Sequence, residues 1–188
     1  MGDFAAGKVR WASGEHDSAG RLLDGAGAVL AAEKVGGGYL PHRDEIHGAN
    51  EVQVYEAIAR DRDGLRSRSM LATTGYLKDS RLLPTGWRPQ GPAAAWTGPV
   101  LASADPDFDG GGDSVTWLLA AAPAADGPSL DPALIHSAEV SLLWQPLGAR
   151  HLAELLAVPT EAGQRLAALL QGADMGPELV AELVVALN

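Results

Sequence analysis

The densest run of ligand-type side chains in the 188-residue chain is Asp105-Pro106-Asp107-Phe108-Asp109-Gly110-Gly111-Gly112-Asp113. Carboxylates at alternate positions followed by glycine can wrap a hard cation, because each oxygen turns inward while glycine permits a sharp reversal. The order matches positions one, three, five, six and nine of the twelve-residue calcium loop. Position twelve falls on Thr116, where that loop needs a bidentate Glu, and the segment leads into a strand instead of a second helix. Asp and Gly in this order also make a tight turn ahead of a strand. Two readings follow: a calcium site on Asp105, Asp107, Asp109 and Asp113, or a plain turn.

Of the five histidines, only His42 and His47 lie near one another, and a spacing of five puts them on no common helix or strand face. His42, with Asp44 and Glu45 beside it, could serve as a loop metal ligand or as an axial ligand facing a neighbouring haem, since neutral imidazole does both. The alternative is a solvated polar loop. No GxSxG elbow surrounds any serine, so a hydrolase triad has no support. Gly36-Gly37-Gly38 lacks the lysine and helix of a phosphate loop. The absence of cysteine removes disulfides, thiolate zinc, iron–sulfur clusters, cysteine nucleophiles and covalent haem attachment. Nothing pairs a nucleophile with a base, and the expectation is a protein that is not an enzyme.

The 14 Lys and Arg against 24 Asp and Glu give a formal net charge of -10, a field that repels phosphate backbones and anionic lipid, so neither nucleic acid nor a membrane surface is expected as partner. No stretch approaches the roughly 20 apolar residues of a spanning helix, and MGDFAAGKVRW lacks a signal-peptide core. With 23 Gly and 12 Pro interrupting short apolar runs, the composition favours short strands over long helices.

The elements that must carry these residues are read from periodicity. The run 8–24 suggests a hairpin-like opening, and 36–50 a long surface loop. Residues 51–59 alternate as a central strand, 69–78 form a following strand or a short helical turn, and 114–121 and 138–144 form two more strands. Pro84, Pro89 and Pro92 forbid a ladder between them. Trp87, Trp96, Trp117 and Trp144 are expected in sandwich packing. Beyond Gly148 the period becomes helical, with faces at Leu152/Leu155/Leu156, Leu166/Leu169/Leu170 and Leu179/Val180/Leu183/Val184. Pro159-Thr160-Glu161 and Gly176-Pro177-Glu178 read as helix starts.

Four motifs in order, EVQVYEAIARDRDG, GYLKDSRLLPTGW, DPDFDGGGDSVTW and VSLLWQPLG, resemble the C-terminal β-sandwich region of some bacterial multihaem c-type cytochrome proteins. The resemblance covers about Lys8 to Leu147 and rests on Val52, Gln53, Tyr55 and Glu56; on Tyr76, Lys78, Asp79, Arg81, Leu82, Leu83, Pro84 and Gly86; on Asp105, Asp107, Phe108, Gly111, Asp113 and Val115; and on Leu142, Leu143 and Gln145. Ser80, Trp87, Trp117 and Trp144 stand where that pattern has Asn, Phe, Tyr and Tyr. The haem-binding CxxCH part has no counterpart here, nor has a segment that would precede the first strand, so the chain would be a fragment or be completed by a partner's strand. Within the third motif's neighbour, Lys78-Asp79-Ser80-Arg81 reads as an internal salt-bridged corner or a docking surface.

The expected architecture is therefore mainly β: an antiparallel Ig-like β-sandwich over 1–147, lacking its first strand or strands, with a helical appendage over 148–188. The resemblance implies a non-catalytic module at the periplasm or outer cell surface that docks or scaffolds a multihaem cytochrome chain or other subunits of an electron-transfer assembly, with haem only on a partner or a missing segment. The alternative from the residues themselves is a calcium-dependent binding module, for carbohydrate among other ligands.

Overall fold

The structure is a computed structural model that describes residues 11–118, 133 and 135–187. In chain order its elements are β1 (Glu45–Ile46), β2 (Ala57–Arg60), β3 (Gly75–Asp79), the single turn α1 (Ala94–Thr97), β4 (Thr116–Trp117), β5 (Ser137–Trp144), α2 (Ala149–Leu156), α3 (Glu161–Leu169) and β6 (Glu178–Ala186). Short 3₁₀ turns lie at Ala31–Glu33 and Met70–Ala72. The strands make three separate two-stranded sheets, β1 with β4 in parallel, and β2 with β3 and β5 with β6 antiparallel.

This overturns the Ig-like β-sandwich. Two layers require sheets broad enough to bury each other's inner faces, whereas no ladder here is wider than two strands, and one of the three is parallel. Among the described residues the fully buried apolar side chains are Ile46, Ile58, Leu83, Ala102 and Phe108, too few to fill the space between two sheets. The tryptophans do not fill it either. Trp87 packs on the Leu83/Ala102/Phe108 cluster, while Trp96, Trp117 and Trp144 are exposed.

The chain forms two compact units. The central unit comprises Tyr39–Ile46 and Val52–Trp117; the terminal unit comprises Met1–Gly38, His47–Glu51 and Leu118–Asn188.

In the central unit the expected strand 51–59 shortens to β2, and ahead of it the carbonyl of Val54 is taken by side chains. The carbonyl of Val54 accepts from Lys78 Nζ at 2.9 Å and from Ser80 Oγ at 3.0 Å, and that of Glu56 accepts from the Ser80 N–H. The 69–78 segment resolves into the 3₁₀ turn and then β3. Asp79 and Val100 exchange both backbone hydrogen bonds, after which Leu101 takes a positive φ of 68° that drops Ala102 into the core. The strand expected over 114–121 is two residues long in β4, and 119–121 lie outside the described residues. Lys78 and Ser80 are fully buried and Asp79 pairs at 2.7 Å with Arg81, whose side chain is exposed, so the stretch is a salt-bridged corner with its arginine at the surface.

In the terminal unit the helical face read over 179–184 is a strand. Leucine and valine at those positions fit a helix and a strand alike, and β-branched Val180, Val184 and Val185 favour the pleated backbone once β5 offers an edge. The two preceding helices stand where their periodicity placed them. Thr160 caps α3 by accepting the Gly163 N–H at 3.1 Å. In α2, buried Arg150 donates to Glu154 at 3.0 Å and to the carbonyls of Ala32, Gly37 and Gly38, so the glycine-rich turn is pinned. Of the opening hairpin, His16 bridges Leu22 and Leu23 bridges Val29; its start at 8–10 lies outside the described residues. Among the described residues no helix is long and apolar enough to cross a membrane.

The Lys78 ammonium, 0% exposed, faces Glu56 Oε1 at 3.1 Å, and burial pushes its pKa below the ordinary lysine value. Unfolded chains therefore bind this proton more tightly, and stability rises with pH toward the ordinary value of about 10.4. Lys78→Met should lie within about 1.5 kcal/mol of wild type at neutral pH, since Glu56 is partly hydrated and Val54 keeps Ser80; Glu56→Ala, which strands the buried ammonium, should cost about 2–4 kcal/mol. Urea denaturation at neutral and alkaline pH checks both, with the Lys78→Met protein losing ground to wild type as pH rises.

Candidate functional site

Three segments of the central unit converge on the imidazole of His42. They are its own loop ahead of β1, the extended run carrying Gln53 and Tyr55, and the acidic turn carrying Asp105, Phe108 and Asp113. Gln53 and Tyr55 are two residues apart on extended backbone and so share a face. The acidic turn lies close against 83–87: Leu83 bridges Gly110, and a Cβ on Gly110 would sit 2.8 Å from the Trp87 carbonyl oxygen. Gly111 adopts φ 115°, which a side chain would strain.

The side chains of His42, Asp105 and Asp113 are 3, 4 and 1% exposed. The imidazole packs edge-on against Phe108, 4.9 Å between ring centres, and against Tyr55 at 6.5 Å. The Arg43 backbone N–H donates to Gln53 Oε1 at 2.8 Å, which turns Gln53 Nε2 toward His42 Nδ1 at 2.6 Å. Because Gln53 donates there, Nδ1 holds the lone pair and Nε2 holds the hydrogen, which it donates to Asp105 Oδ2 at 2.8 Å. Tyr55 donates its hydroxyl to Asp113 Oδ2 at 2.7 Å, with Gln53 a longer contact at 3.4 Å. Asp113 Oδ1 is buried and has no hydrogen-bond partner among the described residues.

Outside this layer the carboxylates of Asp44, Asp105 and Asp107 also approach within 4.8 Å of one another, so Asp105 belongs to both groups. Desolvation, and then the negative charges of Asp105, Asp107, Glu45 and Asp113, push the Asp44 carboxyl above its usual value. Burial would raise Asp105 as well, but hydrogen bonding to Asp107 and His42 outweighs it and holds that carboxyl below its usual value. Its contribution to stability is therefore present above the ordinary carboxylate range and is lost as pH falls through the lowered value. The electrostatic condition of the site is an excess of carboxylate facing one neutral imidazole. Asp105 also lines an open cleft of about 480 Å³ with Trp87, Ser103 and Phe108.

Asp105 thus meets Asp113 and His42 in one cluster and Asp107 and Asp44 in a second, with His42 and Asp44 reaching the loop from 63 and 61 residues earlier in the chain. Asp109 does not join: its backbone closes the turn on Gly112, and its carboxylate belongs to neither cluster. His47 lies in the terminal unit, its backbone N–H donating to Glu51. Both ring nitrogens of His42 are occupied and its side chain is enclosed, which leaves no nitrogen facing solvent for a haem iron. Gln53 and Tyr55 were not singled out as site residues from sequence, although their i, i+2 spacing opposite the acidic turn is the signal for them. Comparison of the chain with protein-family models, curated proteins and solved structures found no match.

Burial, followed by the hydrogen bond to Asp113, pushes the Tyr55 phenol well above the ordinary tyrosine value. In an alkaline absorbance titration Tyr55→Phe should remove the last phenol to ionise, and Asp113→Asn should bring that component to lower pH. A titration unchanged by either substitution would contradict the geometry.

Proposed function

We propose that the central unit is a binding module for a hard divalent cation of the calcium class, held between Asp105 and Asp113 with Asp44 and Asp107 on the outer side of Asp105. The observation that carries the reading is the buried, unpartnered Oδ1 of Asp113 beside a second buried carboxylate. An ionised carboxylate out of water costs several kcal/mol without a partner, and a divalent ion supplies one. The class of ion follows from the tautomer. With Arg43 and Gln53 holding the hydrogen on Nε2, His42 offers no lone pair to the cluster and acts as the donor that orients Asp105. Zinc and its neighbours prefer nitrogen or sulfur, whereas calcium, magnesium and manganese take all-oxygen sets. The sequence alternative of a calcium-dependent module is kept, with Asp44 replacing Asp109 and His42 as the positioning group.

A second reading is the accessory role beside a multihaem cytochrome. It is favoured by the way residues of three resemblance motifs, Gln53 and Tyr55, Lys78 and Leu83, Asp105 and Asp113, pack within one unit. Capture from the native host followed by absorption spectroscopy tests it: a Soret band with c-type α bands supports it, and a colourless solitary chain removes it.

For the cation, thermal melts in chelator and in millimolar calcium, magnesium or manganese are decisive. Wild type should gain several degrees with the ion that fits, since saturation at 100 times Kd adds about 2.7 kcal/mol and each kcal/mol is worth about 2–4 °C at this size. Asp113→Asn relieves the uncompensated charge and still accepts from Tyr55, so it should melt no lower than wild type in chelator and show no gain with the ion. Equal melting of wild type in chelator and in all three ions would overturn the reading.

A further inference from the structure

The cation site leaves the terminal unit unexplained, and there the β5–β6 ribbon is the feature that a stable protein would not leave open. A lone two-stranded ribbon is marginally stable in water, because it has too little to bury. Here neither outer edge makes a backbone hydrogen bond with another described strand. Alternation along β5 puts Val140, Leu142 and Trp144 on one face, and the register brings Leu183 and Val185 of β6 onto it. These five side chains are 39, 47, 54, 60 and 40% exposed. The opposite face is mixed, carrying Glu139, Ser141 and Glu182 beside the exposed apolar side chains of Leu143, Leu179 and Val184.

We infer that a second copy of this chain covers the Val140/Leu142/Trp144 face, the two ribbons stacking face to face about a two-fold axis. Three observations select that occupant. Each copy carries a formal net charge of -10, so copies approach best through the face with fewer carboxylates; this face has one, Glu178, at its end, and the other face has two in its middle. Glu178, at the end, is the one charged group among the paired residues of this face, which offers a partner of complementary charge little recognition, whereas an apolar face is complementary to itself, as a two-fold contact requires. The five side chains leave roughly 500 Å² open per copy, so stacking buries about 1,000 Å² in all, the lower limit for a specific interface and at the upper end of what a lone protein exposes. Stacked sheets lie about 10 Å apart, a gap that these leucine, valine and tryptophan side chains fill.

The experiment compares neighbours on the two faces. Leu183 and Val184 are each 60% exposed, so a glutamate at either disturbs no core and adds the same charge. Light scattering after size exclusion, at micromolar concentration with circular dichroism as the check on folding, should give wild type at twice 19.5 kDa, Leu183→Glu at 19.5 kDa and Val184→Glu still dimeric. Should Leu183→Glu fail to fold, Leu142→Glu makes the same test on the same face. A monomeric wild type overturns the inference, as does a dimer that survives the Leu183 or Leu142 change, or one that Val184→Glu also dissociates. Chelator leaves the wild-type dimer intact, which separates this result from the fate of the cation reading.

Discussion

The hydrogen bond from His42 Nε2 to Asp105 Oδ2 is the contact on which the central unit turns. It is buried, it spans 63 residues of sequence, and it joins the loop ahead of β1 to the acidic turn ahead of β4. Its direction is set one step away, where the Arg43 N–H holds Gln53 so that Nδ1 must accept. A chain of neutral donors thereby ends on a pair of carboxylates, and the pair exceeds what one imidazole neutralises. That excess is the electrostatic basis of the proposed cation site.

Side chains substitute for ladders throughout the chain. With three two-stranded sheets, many carbonyls have no strand to pair with, and buried polar groups must be satisfied somewhere. Lys78 and Ser80 serve Val54, and Arg150 serves Ala32, Gly37 and Gly38. Gln145 reaches back to the carbonyls of Ala19 and Met175, tying the end of β5 to the opening turns of the terminal unit. These contacts combine charge with long sequence separation.

The two units solve the problem of limited core in opposite ways. The central unit gathers Leu83, Ala102 and Phe108 under Tyr55 and Trp87 and closes the rest with polar contacts. The terminal unit concentrates its apolar surface on a ribbon and leaves it open. Polar closure is directional and can be finished within one chain, whereas an apolar ribbon face needs a second layer. That difference is the physical basis of the two proposals, a cation for the first unit and a second copy for the other.

Much of the chemistry was legible in the residues. The Asp105–Asp113 run announced a carboxylate cluster, the Pro159-Thr160-Glu161 signal marked α3, and the helical period of 149–170 holds, because capping and short-range periodicity are local properties of a chain. The Lys78–Arg81 stretch was legible as a salt-bridged corner, though its partners were not. Long-range choices were made only in three dimensions. Whether 178–186 became helix or strand depended on β5 offering an edge, since its leucines and valines satisfy both periods. Whether Asp109 or Asp44 joined the cluster depended on how the turn closed on Gly112 and on where the loop before β1 passed. The β-sandwich failed for the same reason: alternating runs supply faces for strands, but only tertiary pairing decides how many strands share a sheet, and here side-chain donors took the carbonyls that wider ladders would have needed.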